Sequence, residues 1–175
     1  MTTRAAVTRV AAVIAILFGG TAAAQNVSLE YQVKAAYLFN FTKFVDWPEH
    51  VMPVGEPITI CVAAPGPFGK TLEETVRGEL VAGHPLTTRV VRDAAGCHVL
   101  FVPEGVTAAP LLRDARTAPV LTVGESAEFL RDGGVVNFVM DDGKVRFEIS
   151  QDAAARAQLR ISSRLLRLAR SADTQ

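Results

Sequence analysis

Cysteine is scarce in this chain, at two residues in 175, and tryptophan occurs once. Two Cys without a His cluster beside them leave a zinc ion short of ligands. The three histidines, His50, His84 and His98, fall on different stretches of sequence, so a three-His metal site would rest on tertiary coincidence. Net charge is missing too, with 18 Lys and Arg against 18 Asp and Glu. That balance gives no general attraction to nucleic acid or to an anionic membrane. Beyond residue 24 no apolar run approaches the about 20 residues that cross a bilayer, which argues against direct membrane insertion. Internal repeats and low-complexity linkers are absent as well, so one domain is expected.

What is present begins with an export signal. Arg4 and Arg9 form a basic region without any acid, Val10 to Phe18 are an apolar core, and Ala22, Ala23 and Ala24 supply small residues for cleavage after Ala24. Residues 1–24 are therefore expected to be removed, leaving residues 25–175 as the exported protein. A chain of that size buries about 70% of its unfolded surface and needs no staple. Loss of Arg4 and Arg9 leaves it slightly acidic, at about −2. The basic residues Arg156, Arg160, Arg164, Arg167 and Arg170 read as the solvated stripe of a C-terminal helix. Both cysteines lie in the exported part, and an even pair in an oxidising compartment suggests a Cys61–Cys97 disulfide, with two buried free thiols as the alternative.

Short apolar runs alternate with helical patterns, the signature of an α/β domain. Strands are expected at 58–63, 86–91, 98–102, 120–123, 135–140 and 145–149, and helices at 71–80, 108–115, 127–131 and 153–169, the last broken near Ile161. Asp141-Asp142-Gly143 predicts a hairpin turn, which makes the last two strands antiparallel. The expected architecture is a single-domain, mixed and mostly parallel sheet flanked by helices, with a C-terminal β-hairpin and helix.

Catalytic constellations are thin. "APGPFGKT" at 64–71 sits where a strand gives way to a helix, but Ala64 replaces the first glycine of a P-loop. Pro65 and Pro67 also remove two N–H donors that would cradle phosphate, so a Pro and Gly turn before a helix is the reading. "VGESAEF" lacks the second glycine of a nucleophile elbow, which leaves Ser126 as a helix cap. No catalytic residue, metal ligand or cofactor site is assigned, and no enzymatic activity is expected.

The aromatic segment "KAAYLFNFTKFVDWP" at 34–48 reads as one helix: Val33, Tyr37, Phe41 and Phe44 recur at helical spacing, Ser28 is its N-cap, and Pro48 disfavours helix at Trp47. Near the other end, 133–170 runs through a glycine turn, an Asn-Phe strand, a Gly-Lys turn, an Arg-Phe strand, an Ala-rich helix and an Ile-Ser-Ser-x-Leu-Leu ending. These blocks, with the "PFG" turn at 67–69, resemble the YfiR family of small periplasmic proteins. Tyr37, Phe41, Trp47 and Pro48 match its first helix, and Asn137, Phe138, Phe147 and Ile149 its paired strands. Ser162, Ser163, Leu165 and Leu166 match its ending. Cys61 and Cys97 match one family disulfide, and the second cysteine pair of the named member is missing.

The resemblance implies a homodimeric repressor that binds the periplasmic sensor domain of an inner-membrane diguanylate cyclase and keeps cyclic-di-GMP, and with it biofilm formation, low. It further implies an OmpA-like lipoprotein that sequesters the repressor. The contact residues are not carried by these motifs, which build the core. A small-ligand sensor for a nucleotide or amino acid, acting on another membrane signalling protein through a cleft, is the second reading.

Overall fold

The computed structural model describes residues 28–170. The expected signal at residues 1–24 lies outside them. The elements in chain order are α1 (Leu29–Thr42), β1 (Val45–Asp46), a 3-10 turn (Glu49–Val51), β2 (Ile58–Val62), α2 (Thr71–Val76), β3 (Leu80–Val81), β4 (His84–Val90) and β5 (Val99–Val102). They continue with α3 (Ala108–Ala115), β6 (Leu121–Gly124), β7 (Val136–Asp141), β8 (Lys144–Ile149), α4 (Gln151–Arg156), β9 (Arg160–Ile161) and α5 (Ser163–Leu168).

Seven strands form one sheet in the order β3-β4-β2-β5-β6-β7-β8. The pairs β4/β2, β2/β5, β5/β6 and β6/β7 are parallel, whereas β3 and β8 join antiparallel at the edges. The mixed, mostly parallel sheet with a C-terminal hairpin and helix is thus as the sequence pattern predicts. Strands β2, β5 and β6 are buried along their whole length, which is why they read as unbroken apolar runs rather than as an alternation.

Side-chain alternation along these strands divides the core in two. Ile60, Val62, Val99, Phe101, Leu121, Val123, Val136 and Phe138 meet α1, α2, α4 and α5 on one face. Cys61, Leu100 and Val102 meet Leu111, Leu112 and Ala115 of α3 on the other. The chain leaves β2 through α2 toward β4 and leaves β5 through α3 toward β6, so the winding reverses between β2 and β5. In open α/β sheets ligands collect outside the carboxyl ends of the strands near such a reversal.

Four sequence expectations change. Helix α1 ends at Thr42, not at the Trp47-Pro48 pair, so Phe44 and Trp47 leave the helix. The Thr42 hydroxyl donates to Phe39 O at 2.6 Å, and the extended run after it finds a partner: Val45 pairs with Ile161 and Ser162 N donates to Phe44 O at 2.9 Å. Tertiary pairing overrides helical spacing there. The buried face of α1 is Lys34, Ala35, Leu38, Phe41 and Thr42, with Val33 and Tyr37 on its flank. Helix α2 stops at Val76 rather than Leu80, because Gly78 takes a positive φ and Leu80–Val81 form a hairpin with β4 through Ala82 (φ 52°) and Gly83 (φ 85°). The C-terminal stretch is broken near Ile161 as expected, into two helices with β9 between them, and what changes is the stripe: the arginines at 156, 160, 164, 167 and 170 are exposed but do not lie on one helix.

The fourth change is at 127–131, where turns replace the expected helix and Ser126 caps nothing: its carbonyl accepts from Phe129 N at 3.1 Å. The segment is organised around the Phe129 ring, 1% exposed, which lies between two glycines. A methyl group on Gly124 or on Gly134 would sit 2.2 Å from a Phe129 ring carbon. Gly124→Ala is therefore expected to destabilise the protein by about 1–3 kcal/mol, the usual cost of overpacking a core. Urea unfolding measures it, and an unchanged midpoint would show that Phe129 is not clamped this way.

Candidate functional site

The first-helix and hairpin aromatics converge. Phe41 lies with its ring centroid 5.1 Å from that of Phe147 and 5.9 Å from Phe138, and Tyr37 stands 5.3 Å from Phe147. This cluster fixes α1 across the β7–β8 hairpin. Ser162 caps α5 by accepting from Leu165 N at 3.3 Å, Leu165 is buried, and Ser150, which sequence reasoning passed over, caps α4 in the same way. Trp47 and Pro48 lie apart from these, and the Trp47 ring stands edge-on to His98 at 6.2 Å. Most motif residues are thus packing and capping residues.

Cys61 and Cys97 are joined, with Cα atoms 5.8 Å apart. Cys61 sits in the middle of β2 on the α3 face, and the bond pins the turn before β5 onto it. The histidines do not meet. His98 Nδ1 accepts from Thr59 N at 3.1 Å and its Nε2 donates to Val51 O at 2.9 Å, whereas His84 Nδ1 contacts Glu56 O at 2.8 Å. Among the described residues no group of three His, Cys, Asp or Glu side chains is placed to hold a metal ion. In the "APGPFGKT" turn, Phe68 plugs the core, 5.0 Å from the Phe101 ring, while Lys70 is exposed.

The site that sequence reasoning missed lies at the carboxyl edge of the sheet. The apolar stripe of α1 carries a charge at its first position: the Lys34 side chain is 4% exposed. Its ammonium bonds Glu30 one turn earlier and Glu125, 5% exposed, at 2.5 Å. Glu125 follows β6 directly. Its other oxygen accepts from the Tyr31 hydroxyl at 2.9 Å and from Glu104 N, just past β5, at 2.8 Å. Helix α1 and the ends of β5 and β6 are therefore tied at one carboxylate.

Burial, then the hydrogen bond to Glu125, then the negative charge of Glu125, raise the Tyr31 pKa well above its ordinary value, so Tyr31 remains a neutral donor. The Lys34 ammonium also lies 4.6 Å from the Tyr31 ring centroid. Beside this cluster is a cavity of about 250 Å³ lined by Glu30, Tyr31, Lys34, Glu104, Glu125 and Asn137, with Phe138 and Met140 among its walls. Asn137, 4% exposed, has a side-chain oxygen to which none of the described residues donates. The one sequence cue was a lysine at an apolar position of α1; Glu104 and Glu125 carry no local signal.

A family model described as YfiR/HmsC-like matches residues 31–170. No curated protein matches the chain. Among solved structures, the chain is similar to the crystal structure of a conserved domain protein from Vibrio cholerae, at 14% identity and a TM-score of 0.52. The likeness covers 78% of this chain and 59% of that one, so the chain spans about three fifths of that protein, and it speaks to the fold alone.

Proposed function

The chain belongs to the YfiR/HmsC-like family, and on that premise we propose that it is a periplasmic negative regulator which binds the periplasmic sensor domain of an inner-membrane diguanylate cyclase and lowers cyclic-di-GMP. The observation that carries this reading is the family match across residues 31–170. The Cys61–Cys97 bond supports an oxidising, exported setting. In this reading the protein acts by binding, not catalysis, as a homodimer that an OmpA-like lipoprotein can sequester. It represses by population shift, which requires higher affinity for the off state of the cyclase than for the on state. Large exposed apolar side chains lie on separate elements, among them Leu29 on α1, Val90 on β4, Met140 on β7 and Leu168 on α5.

The test is cellular cyclic-di-GMP in a deletion strain, complemented with the full chain or with a version lacking residues 1–24. The expected result is a rise on deletion that only the exported form reverses. No change where the protein is normally expressed would remove cyclase repression from consideration. The second reading, a small-ligand sensor acting on another membrane protein, draws support from the cavity beside Lys34.

A further inference from the structure

The cavity beside Lys34 carries more negative charge than its lysine balances. Among the described residues three carboxylates, Glu30, Glu104 and Glu125, and one ammonium line it, an excess of two negative charges. Lys34 is already bonded to Glu30 and Glu125, so a ligand's anion would have to compete for it with two carboxylates. The Tyr31 hydroxyl is committed as a hydrogen-bond donor to Glu125. The uncommitted chemistry is acceptor chemistry: the second oxygen of Glu30 at the half-buried mouth, the exposed Glu104 carboxylate, and the side-chain oxygen of Asn137.

Asn137 is the independent observation. A buried amide oxygen without a donor costs about 1–3 kcal/mol, and such groups are few in native proteins. The torsion that aims an Asn amide is broad, so this group can turn its oxygen to a donor entering the cavity. The walls suit a cation as well, because the faces of Tyr31 and Phe138 already lie 4.6 and 5.9 Å from the Lys34 ammonium. A bare metal ion fits less well, since no three carboxylate or imidazole groups among the described residues are placed to ligate one. At about 250 Å³ the space falls below the roughly 300–1,000 Å³ of sites for drug-sized molecules.

We propose that the cavity formed by Glu30, Tyr31, Glu104, Glu125, Asn137 and Phe138 binds a small aliphatic diamine, whose two ammonium groups answer the two unbalanced charges and whose methylenes lie on the Phe138 wall. The position, outside the carboxyl ends of the parallel strands β5 and β6, is on the edge where α/β sheets present ligands. The proposal goes beyond the regulatory reading and does not depend on which membrane protein the chain controls.

Calorimetric titration of the purified protein tests it with 1,4-diaminobutane, 1-aminobutane, 1,4-butanediol and magnesium chloride. The expected result is saturable binding of the diamine, at least about tenfold weaker for the monoamine, undetectable for the diol and not reproduced by magnesium. Glu104→Gln, at an exposed position where folding is not at stake, should weaken the diamine at least about tenfold, and Asn137→Leu should do so if it folds. Absence of saturable diamine binding, equal binding of the diol, or full affinity in Glu104→Gln would each overturn the proposal. All these readouts come from the isolated protein, so their failure leaves the cyclic-di-GMP reading untouched, and the reverse holds too.

Discussion

Lys34→Met should lower the stability of the protein by about 3–5 kcal/mol, the usual result of removing one partner of a buried ion pair. Methionine keeps the apolar stem and suits the helix, so packing and propensity change little. What changes is Glu125. Its side chain is 5% exposed and loses the ammonium that neutralises it, keeping the Tyr31 hydroxyl and Glu104 N. An ionised carboxylate in such a place is far costlier than a neutral amide. Adding Glu125→Gln to Lys34→Met should therefore recover at least half of the loss, because the amide oxygen still accepts from Tyr31 and Glu104 while the charge is gone. Urea unfolding of wild type, both single variants and the double variant closes the cycle. A Lys34→Met midpoint within about 1 kcal/mol of wild type would mean that the pair is solvated, as exposed pairs are, and would remove the argument for a pre-built polar site.

The same residue shows where sequence reading stops. The sheet was legible because strands buried on both faces must be apolar throughout, and "ITICV" and "VLFV" can be little else. Asp142-Gly143 declared the last hairpin by its turn chemistry, and positive φ values at both residues bear it out. The end of α1 was not legible, since Phe44 and Val45 continue a helical spacing and only a strand more than a hundred residues away draws them out of it. The turns at 127–131 were lost for a related reason: a run of helix formers was set against a glycine pair that matters only once the Phe129 ring is between them. The polar site is assembled from α1, the ends of β5 and β6, and β7, so Glu104 and Glu125 had no local pattern to announce them, and Asn137 stood out only as a residue of the paired-strand motif. Lys34 did carry a signal, as a charge on an apolar stripe.

Replacing both Cys61 and Cys97 by Ala should cost about 4 kcal/mol, comparable to the Lys34 substitution but by a different route. The bond closes a segment of 36 residues in sequence separation, so its removal enlarges the unfolded ensemble by the loop entropy of that length. The folded state loses little beside this. Both residues face the α3 cluster, where alanine is an acceptable, slightly smaller side chain, and Arg89 still holds the turn through Ala95 O at 2.9 Å. Because the effect belongs to the unfolded chain, reducing the wild-type bond at neutral pH should shift the urea midpoint by nearly as much as the double substitution, and reductant should do nothing further to the variant. A much larger loss in the variant than on reduction would assign the effect to the cavity left behind. A loss under about 1 kcal/mol by both routes would mean that the unfolded chain is already confined around 61–97. The bond would then be dispensable for folding, and a protein that needs no bond to fold gains no stability from the oxidising compartment that forms it.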